Sequence, residues 1–320
     1  MSDSATRHLL PIRPSPAAPI GLEGLGLPAL AADSRGAVLL GDNLPILAAL
    51  PAACLDLIYV DPPFFSGSRR AGRLRSAGGH ARYDDRWGRS LGTYVPWLIQ
   101  RLEQMHRVLK DTASLWVHLD FRAVHHVKVA LDDIFGRNKF RNEIIWCYSV
   151  GGRPRRAFGR KHDTILFYSK SDDYVFNAEA VRVPRRSGSH MRLSRDPAGR
   201  RVQEKTDPRT GRVYRYPLHA GKACEDWWAD IETLNHSDAE RTGYPTQKPL
   251  RLLERIIAAA SPENGWVGDF FCGSGTTAVA ALALGRRALA VDENPDAVEI
   301  TRRRLPKGRV ACYRLADAAP

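Results

Sequence analysis

The chain has 320 residues, 43% hydrophobic and 26% charged, a composition that excludes a disordered or fibrous protein. Its length supports one large domain, or one domain carrying an insertion. The formal net charge of +13 is local: 151–220 carry +10 and 66–90 carry +5, so the remainder stands at −2, which points to a polyanionic partner rather than a uniformly solubilising surface.

In chain order, 1–36 reads as an arm, flexible or packed on the surface. Its "RHLLPIRPSPAAPIGLEGLGLPALAA" is broken by prolines and Glu23 and does not resemble a secretion signal. "GAVLL" (36–40) predicts a strand, "NLPILAALP" (43–51) a helix, and the apolar "LDLIYV" (55–60) a buried strand of a parallel sheet, leading into a basic loop over 66–90. Leu98, Leu102, Met105 and Leu109 recur at helical spacing, predicting an amphipathic helix over 94–110. A strand (114–119), a helix (124–135) and two strands (142–150 and 162–169) follow. Periodicity then lapses over 183–244, where Arg, Pro, Gly and Ser dominate. Order returns as helix 249–260, strand 265–271, helix 276–285, strand 287–291 and helix 294–305. The alternation predicts an α/β fold with a doubly wound, mostly parallel sheet.

The strand 55–60 ends on Asp61-Pro62-Pro63-Phe64-Phe65. Proline fixes φ, lacks an N–H and keeps its predecessor extended, so Asp61 and Pro62 present free acceptors at a strand end, where open α/β sheets bind ligands. With the phenylalanines beside them, these acceptors suit a flat ring bearing an amine. The alternative is a rigid strand exit with core phenylalanines. A second motif spans 269–295. Gly273-Ser274-Gly275-Thr276-Thr277-Ala278 fits a glycine turn between strand and helix, and Asp292 ends the next strand, placed to accept from ribose hydroxyls. This predicts a nucleoside-bearing cofactor. Only 47 residues follow Gly273, so the sheet must be completed by strands earlier in the chain, unlike a nicotinamide dehydrogenase.

In this order the motifs resemble the β-type, permuted DNA amino-methyltransferases that use S-adenosylmethionine. A (D/N/S)PP(Y/F/W) motif (Asp61, Pro62, Pro63, Phe64) precedes a recognition region, and an FxGxG motif (Phe271 to Gly275) follows. "GDNLPIL" at Gly41-Asp42 and "YPTQKPLRLLERII" from Tyr244 also match in place, so the resemblance covers about 37–305. Phe270 departs from the proline common before the phenylalanine. The resemblance implies a circularly permuted methyltransferase domain with a catalytic half (37–182), a target-recognition insert (183–244) and a cofactor-binding half (245–320).

It also implies residue roles. Gly273, Ser274, Gly275 and Thr276, with Asp269, Phe271, Thr246 and Lys248, approach the methionine end of the cofactor; Asp292 holds the ribose and Asp42 the adenine edge. A target base flips out of double-stranded DNA, Phe64 stacks on it, and Asp61 and the Pro62 carbonyl accept its amino hydrogens. Methylation at cytosine C5 is excluded, because none of the five cysteines follows a proline. In the family an acid at the first motif position accompanies adenine N6 more often than cytosine N4, so Asp61 favours adenine.

Arg69, Arg70, Arg73 and Arg75 are expected to close over phosphates. Arg185, Arg186, Arg192, Arg195, Arg200 and Arg201 are expected in the recognition region. Phe167 or Tyr168 could line the base pocket or belong to the core. The separated cysteines suit a reducing cytoplasm and give no metal site, and His118, His125 and His126 read as solvated or capping residues. No apolar run reaches membrane-spanning length. A homodimer and a cognate restriction nuclease are further expectations of the resemblance. Rival readings are an RNA or protein-glutamine methyltransferase and a DNA-binding protein without catalysis.

Overall fold

The computed structural model describes residues 8–11, 20–21, 34–64, 69–73, 80–84, 91–152, 154–185 and 191–315. In chain order, β1 (His8–Pro11) and β2 (Ile20–Gly21) precede β3 (Gly36–Leu40), α1 (Asn43–Ala49), β4 (Leu55–Val60), β5 (Arg69–Arg73), β6 (His80–Asp84), α2 (Leu91–Val108), β7 (Leu109–Leu119), α3 (Val124–Phe135), β8 (Phe140–Cys147) and β9 (His162–Ser169). Next come β10 (Arg192–Arg195), β11 (Arg201–Thr206), β12 (Val213–Pro217), β13 (Trp227–Trp228), α4 (Leu250–Ala260), β14 (Trp266–Asp269), α5 (Thr276–Ala283), β15 (Arg287–Asp292), α6 (Pro295–Arg304) and β16 (Ala311–Leu315).

The main sheet has the order β13-β8-β9-β7-β4-β14-β15-β3-β16-β1-β2. From β7 through β4, β14, β15 and β3 to β16 every pairing is parallel; β9 runs antiparallel to both β7 and β8. Every residue of β4 is buried, as its unbroken apolar run requires. The main core takes alternate residues of the central strands (Ile58 and Val60, Leu115 and Val117, Leu289 and Val291) together with α1, α2 and α3. Helix α5 packs on β14, β15 and α4, and neither α4 nor α5 contributes to that core, which puts this pair on the other face of the sheet. β4 and β14 are neighbours although the whole recognition segment separates them in sequence. Such a junction is where open α/β sheets open a crevice at the strands' carboxyl ends.

The chain divides into two compact units, Met1–Val175 with Asp226–Pro320, and Phe176–Glu225. The smaller unit corrects the expectation that regular structure lapses after 183. It holds the antiparallel sheet β10-β11-β12, whose strands are joined by two Asp-Pro turns. Asp196 Oδ1 accepts from the N–H of Ala198 (3.0 Å) and of Arg200 (2.9 Å), and Asp207 Oδ1 from that of Arg209 (2.8 Å). The turns close on Gly199 (φ +75°) and Gly211 (φ +67°). The basic stretch expected as a loop likewise contains the antiparallel pair β5–β6.

Candidate active site

Four acids stand at the carboxyl ends of four adjacent parallel strands: Asp42 beyond β3, Asp292 closing β15, Asp269 closing β14 and Asp61 beyond β4. All four line one cavity of about 560 Å³, with Trp97, Arg101, Tyr244 and the turn Phe271–Gly273. That volume falls in the range of small-molecule sites.

On the β14–β15 side the acids are tied to backbone. Asp292 Oδ2 accepts from the Gly273 N–H at 2.8 Å and Oδ1 from the Asn294 N–H at 2.9 Å. Each oxygen keeps a lone pair for a further donor, as ribose hydroxyls require. Burial pushes this carboxyl up to about 6. Asp269 accepts from the Phe271 N–H (3.1 Å) and the Thr277 hydroxyl, and burial raises it to about 7. Gly273 (φ +50°) and Gly275 (φ +76°) both need left-handed backbone. At Gly275 a Cβ would come within 2.5 Å of the Thr301 side chain, so packing between α5 and α6 demands glycine there, independently of any ligand. The hydroxyl of Thr276 and the Ser274 carbonyl both accept from buried-side Arg304, at 3.0 and 2.7 Å.

Asp42 caps α1, accepting from the Leu44 N–H at 3.1 Å, and pairs with Arg101 at 2.8 Å. Arg101 is buried. Its Nε donates to Asn43 Oδ1 (2.7 Å), the Asn43 amide donates to the Phe270 carbonyl (2.6 Å), and its guanidinium lies 4.0 Å over Trp97. Trp97 in turn meets Phe271, with ring centroids 5.7 Å apart. Sequence reasoning missed Arg101, Asn43 and Trp97, although an arginine on the buried apolar face of an amphipathic helix, one turn after a tryptophan, is a visible signal.

The Asp61 corner is built differently. One carboxylate oxygen pairs with the Lys248 ammonium; the other, Oδ1, is buried and has no hydrogen-bond partner among the described residues. Lys248 also lies 4.9 Å over the Phe64 ring, so it sits against the Asp61–Phe64 motif rather than the glycine turn. Thr246, two residues earlier, has φ +65°, a strained conformation for a β-branched residue. The loop is held there by Gln247, which accepts from the Thr242 N–H and hydroxyl (both 2.8 Å) and donates to the Glu240 carbonyl (2.8 Å).

A second cavity, about 460 Å³, shares Asp61, Tyr244, Thr246, Gln247 and Lys248 with the first and extends past Phe64, Trp146 and Tyr148. Two chambers thus meet at Asp61, one holding the strand-end acids and the Gly273 turn, the other the rings of Phe64, Trp146 and Tyr148.

A family model described as DNA methylase (N6_N4_Mtase) matches residues 55–303. The chain belongs to this DNA methylase family. It is an S-adenosylmethionine-dependent DNA methyltransferase of the amino-group type. The chain is similar to the DNA adenine methyltransferase YhdJ of Escherichia coli (strain K12), 28% identical over 83% of this chain and 81% of the relative. It is similar to the Type II methyltransferase M.ScaI of Streptomyces caespitosus at 26% identity, over 83% of this chain and 79% of the relative. Among solved structures, its fold matches the cytosine-N4-specific PvuII DNA methyltransferase (TM-score 0.58, 15% identity, 86% and 89% of the two chains). It also matches the M1.HpyAVI–SAM complex (TM-score 0.51, 17% identity, 84% and 98%).

Behind Phe64 the methyltransferase carries a buried polar chain. The Tyr59 hydroxyl meets His118 Nδ1 at 2.8 Å, His118 Nε2 lies 3.3 Å from Asp163 Oδ2, and the Tyr148 hydroxyl donates to Asp163 Oδ1 at 3.1 Å. Burial works to raise Asp163, but hydrogen bonds from His118 and Tyr148 and the Lys248 charge hold it below the usual carboxylate range. His118 is therefore not solvated, as its sequence neighbourhood suggested, whereas His125 and His126 are exposed. Phe167 stacks on Trp116 with centroids 4.1 Å apart, and the Tyr168 hydroxyl donates to Asp132 at 2.7 Å; both rings are core and neither lines either of the two chambers.

Of the arginines, Arg75 and Arg186 lie outside the described residues, and Arg69, Arg70 and Arg73 are described only as positions on β5. In the smaller unit, Arg195 donates to the Gly199 carbonyl (2.8 Å) and Arg200 pairs with Asp196 (2.8 Å), so both close the first turn. Arg185 lies 4.7 Å over Tyr216, while Arg192 and Arg201 are exposed on opposite faces of the small sheet. Among the described residues no helix is long and apolar enough to cross a membrane.

Proposed function

We propose that this methyltransferase modifies the N6 amino group of adenine in double-stranded DNA, and that the two chambers receive the cofactor and the flipped base. The observation that carries the reading is Asp61, whose buried Oδ1, without a hydrogen-bond partner among the described residues, stands at the junction of the chambers. An amino hydrogen would satisfy it, and leaving it unsatisfied is costly. With the second amino hydrogen on the Pro62 carbonyl, the nitrogen lone pair is aimed out of the ring plane, toward the acid-lined chamber. Pro62 and Pro63 fix the backbone that does this, and Phe64 stacks on the base and recovers part of the unstacking cost.

S-adenosylmethionine, when bound, supplies an electrophilic methyl group. Asp292 would accept from its ribose hydroxyls and Asp42 would meet the adenine edge, while Asp269, Phe271, Gly273, Ser274, Gly275, Thr276 and Thr246 would enclose the methionine end. Lys248 orients the Asp61 carboxylate by occupying its other oxygen. The reaction then needs positioning and no covalent intermediate.

The acid at Asp61 and the similarity to a DNA adenine methyltransferase both support adenine over cytosine. The same proposal assigns phosphate contacts to Arg69, Arg70, Arg73, Arg75, Arg185, Arg186, Arg192 and Arg201, with Arg195 and Arg200 shaping their turn. It places the enzyme in the cytoplasm, as a homodimer with a cognate restriction nuclease; the Type II naming of its relatives supports the nuclease. The test is incubation with S-adenosylmethionine and unmethylated genomic DNA, digestion to nucleosides and mass spectrometry. N6-methyladenine is expected, and N4-methylcytosine in its place would overturn the base assignment while keeping the chemistry.

A further inference from the structure

A loop rises from the rim of the aromatic chamber. Tyr148 and Val150 before it and Asp163 after it line that cavity, and the chain between, 151–161, reads GGRPRRAFGRK. Its foot is closed. The Tyr148 N–H donates to the Lys161 carbonyl at 2.9 Å, the Lys161 ammonium donates to the carbonyls of Ser149 (2.8 Å) and Gly151 (2.9 Å), and Ser149 donates to Glu232. A Cβ on Gly159 would stand 3.1 Å from the Gly152 carbonyl oxygen, so the two sides of the loop touch. Arg160 lies 3.9 Å over the Phe121 ring, whose neighbour Arg122 lines the chamber. The foot is braced.

Phe158 follows directly beyond that closed foot, 98% exposed, more than any other large hydrophobic side chain described. Arg155 and Arg156 beside it are exposed and have no ion-pair partner among the described residues. A bare aromatic ring beside exposed cations, on a loop braced at its foot next to the chamber for a flipped base, matches the needs of a stacked polyanion: arginines for phosphates and an apolar wedge for the gap between base pairs. We infer that Phe158 enters the duplex where the target base leaves it and holds the gap open, while Arg155 and Arg156 grip the flanking phosphates. This rests on the reading of the aromatic chamber as a base pocket.

The wedge matters only when the target must be pulled from a paired stack. Once methylated sites in plasmid DNA have been mapped, kcat/KM is measured on two duplexes carrying one site, with the target base paired or opposite an abasic gap. Phe158→Ala should fall at least tenfold on the paired duplex and stay within threefold of wild type on the gapped one, and Phe158→Trp should keep most activity on both. Equal losses on the two duplexes, or an unchanged rate on the paired one, would overturn the wedge. If the mapping instead finds no methylated base in the DNA, the base-pocket reading fails, and the wedge with it. The ring is solvent-exposed, so unchanged thermal melting of Phe158→Ala serves as the folding control.

Discussion

The two sides of the cavity handle their acids in opposite ways. At the β14–β15 side every carboxylate oxygen of Asp269 and Asp292 already accepts one hydrogen bond from a backbone N–H or a hydroxyl, and burial has raised both carboxyls. At the β4 side Asp61 is held on one oxygen by a lysine from a strained loop and left open on the other. The first arrangement is held in place by its own backbone before any ligand arrives; the second has an oxygen that only a ligand would satisfy. A cofactor site benefits from preorganisation, whereas a catalytic acceptor must keep free capacity until the reacting group arrives.

This contrast can be broken by mutation. Its largest expected effect is at Asp61: Asp61→Ala should lower single-turnover methylation by about 10³-fold, the scale of losing a principal electrostatic contact in a transition state. Asp292→Ala should weaken cofactor binding by about 10²-fold, read by calorimetry, since two charge-assisted hydrogen bonds are lost. Gly275→Ala should cost about 2–3 kcal/mol in chemical denaturation, because the new Cβ meets Thr301 in left-handed backbone.

The raised acids sharpen the contrast through pH. Asp292, at about 6 when folded, protonates as pH falls through 6, so cofactor affinity should be about tenfold weaker at pH 5 than at pH 8. The apo fold should respond the other way. A carboxyl raised in the folded state takes up its proton before the unfolded chain does, so the contribution of Asp269 and Asp292 to stability increases as pH falls from about 7 to 5. Melting of the apo protein across that window checks the sign. Smallest is Thr246→Gly, which relieves positive φ and should leave stability within about 1 kcal/mol while loosening Lys248 and lowering turnover severalfold.

What the sequence disclosed followed the same division. Chemistry carried by backbone-determining residues was legible: prolines after Asp61, glycines before Thr276 and strand-ending acids announce their geometry locally, and the sheet follows from alternating apolar runs. The contacts that needed the third dimension were not. Arg101 is a lone cation on the apolar face of its helix, and nothing local says what it meets until Asp42 and Asn43 arrive at the start of α1; His118 reads as solvated until Tyr59 and Asp163 close on it from neighbouring strands. The small sheet was missed because short exposed strands carry no apolar alternation; its turns, with Asp-Pro and glycine at fixed spacing, held the readable signal.

The most direct measurement of the separation between the two sides is calorimetric titration of S-adenosylmethionine into Asp61→Ala and Asp292→Ala in parallel. Asp61→Ala should bind within about threefold of wild type while Asp292→Ala weakens by about 10²-fold. Equal loss of affinity in the two variants would contradict the account, making Asp61 part of the cofactor site instead of the acceptor reserved for the base.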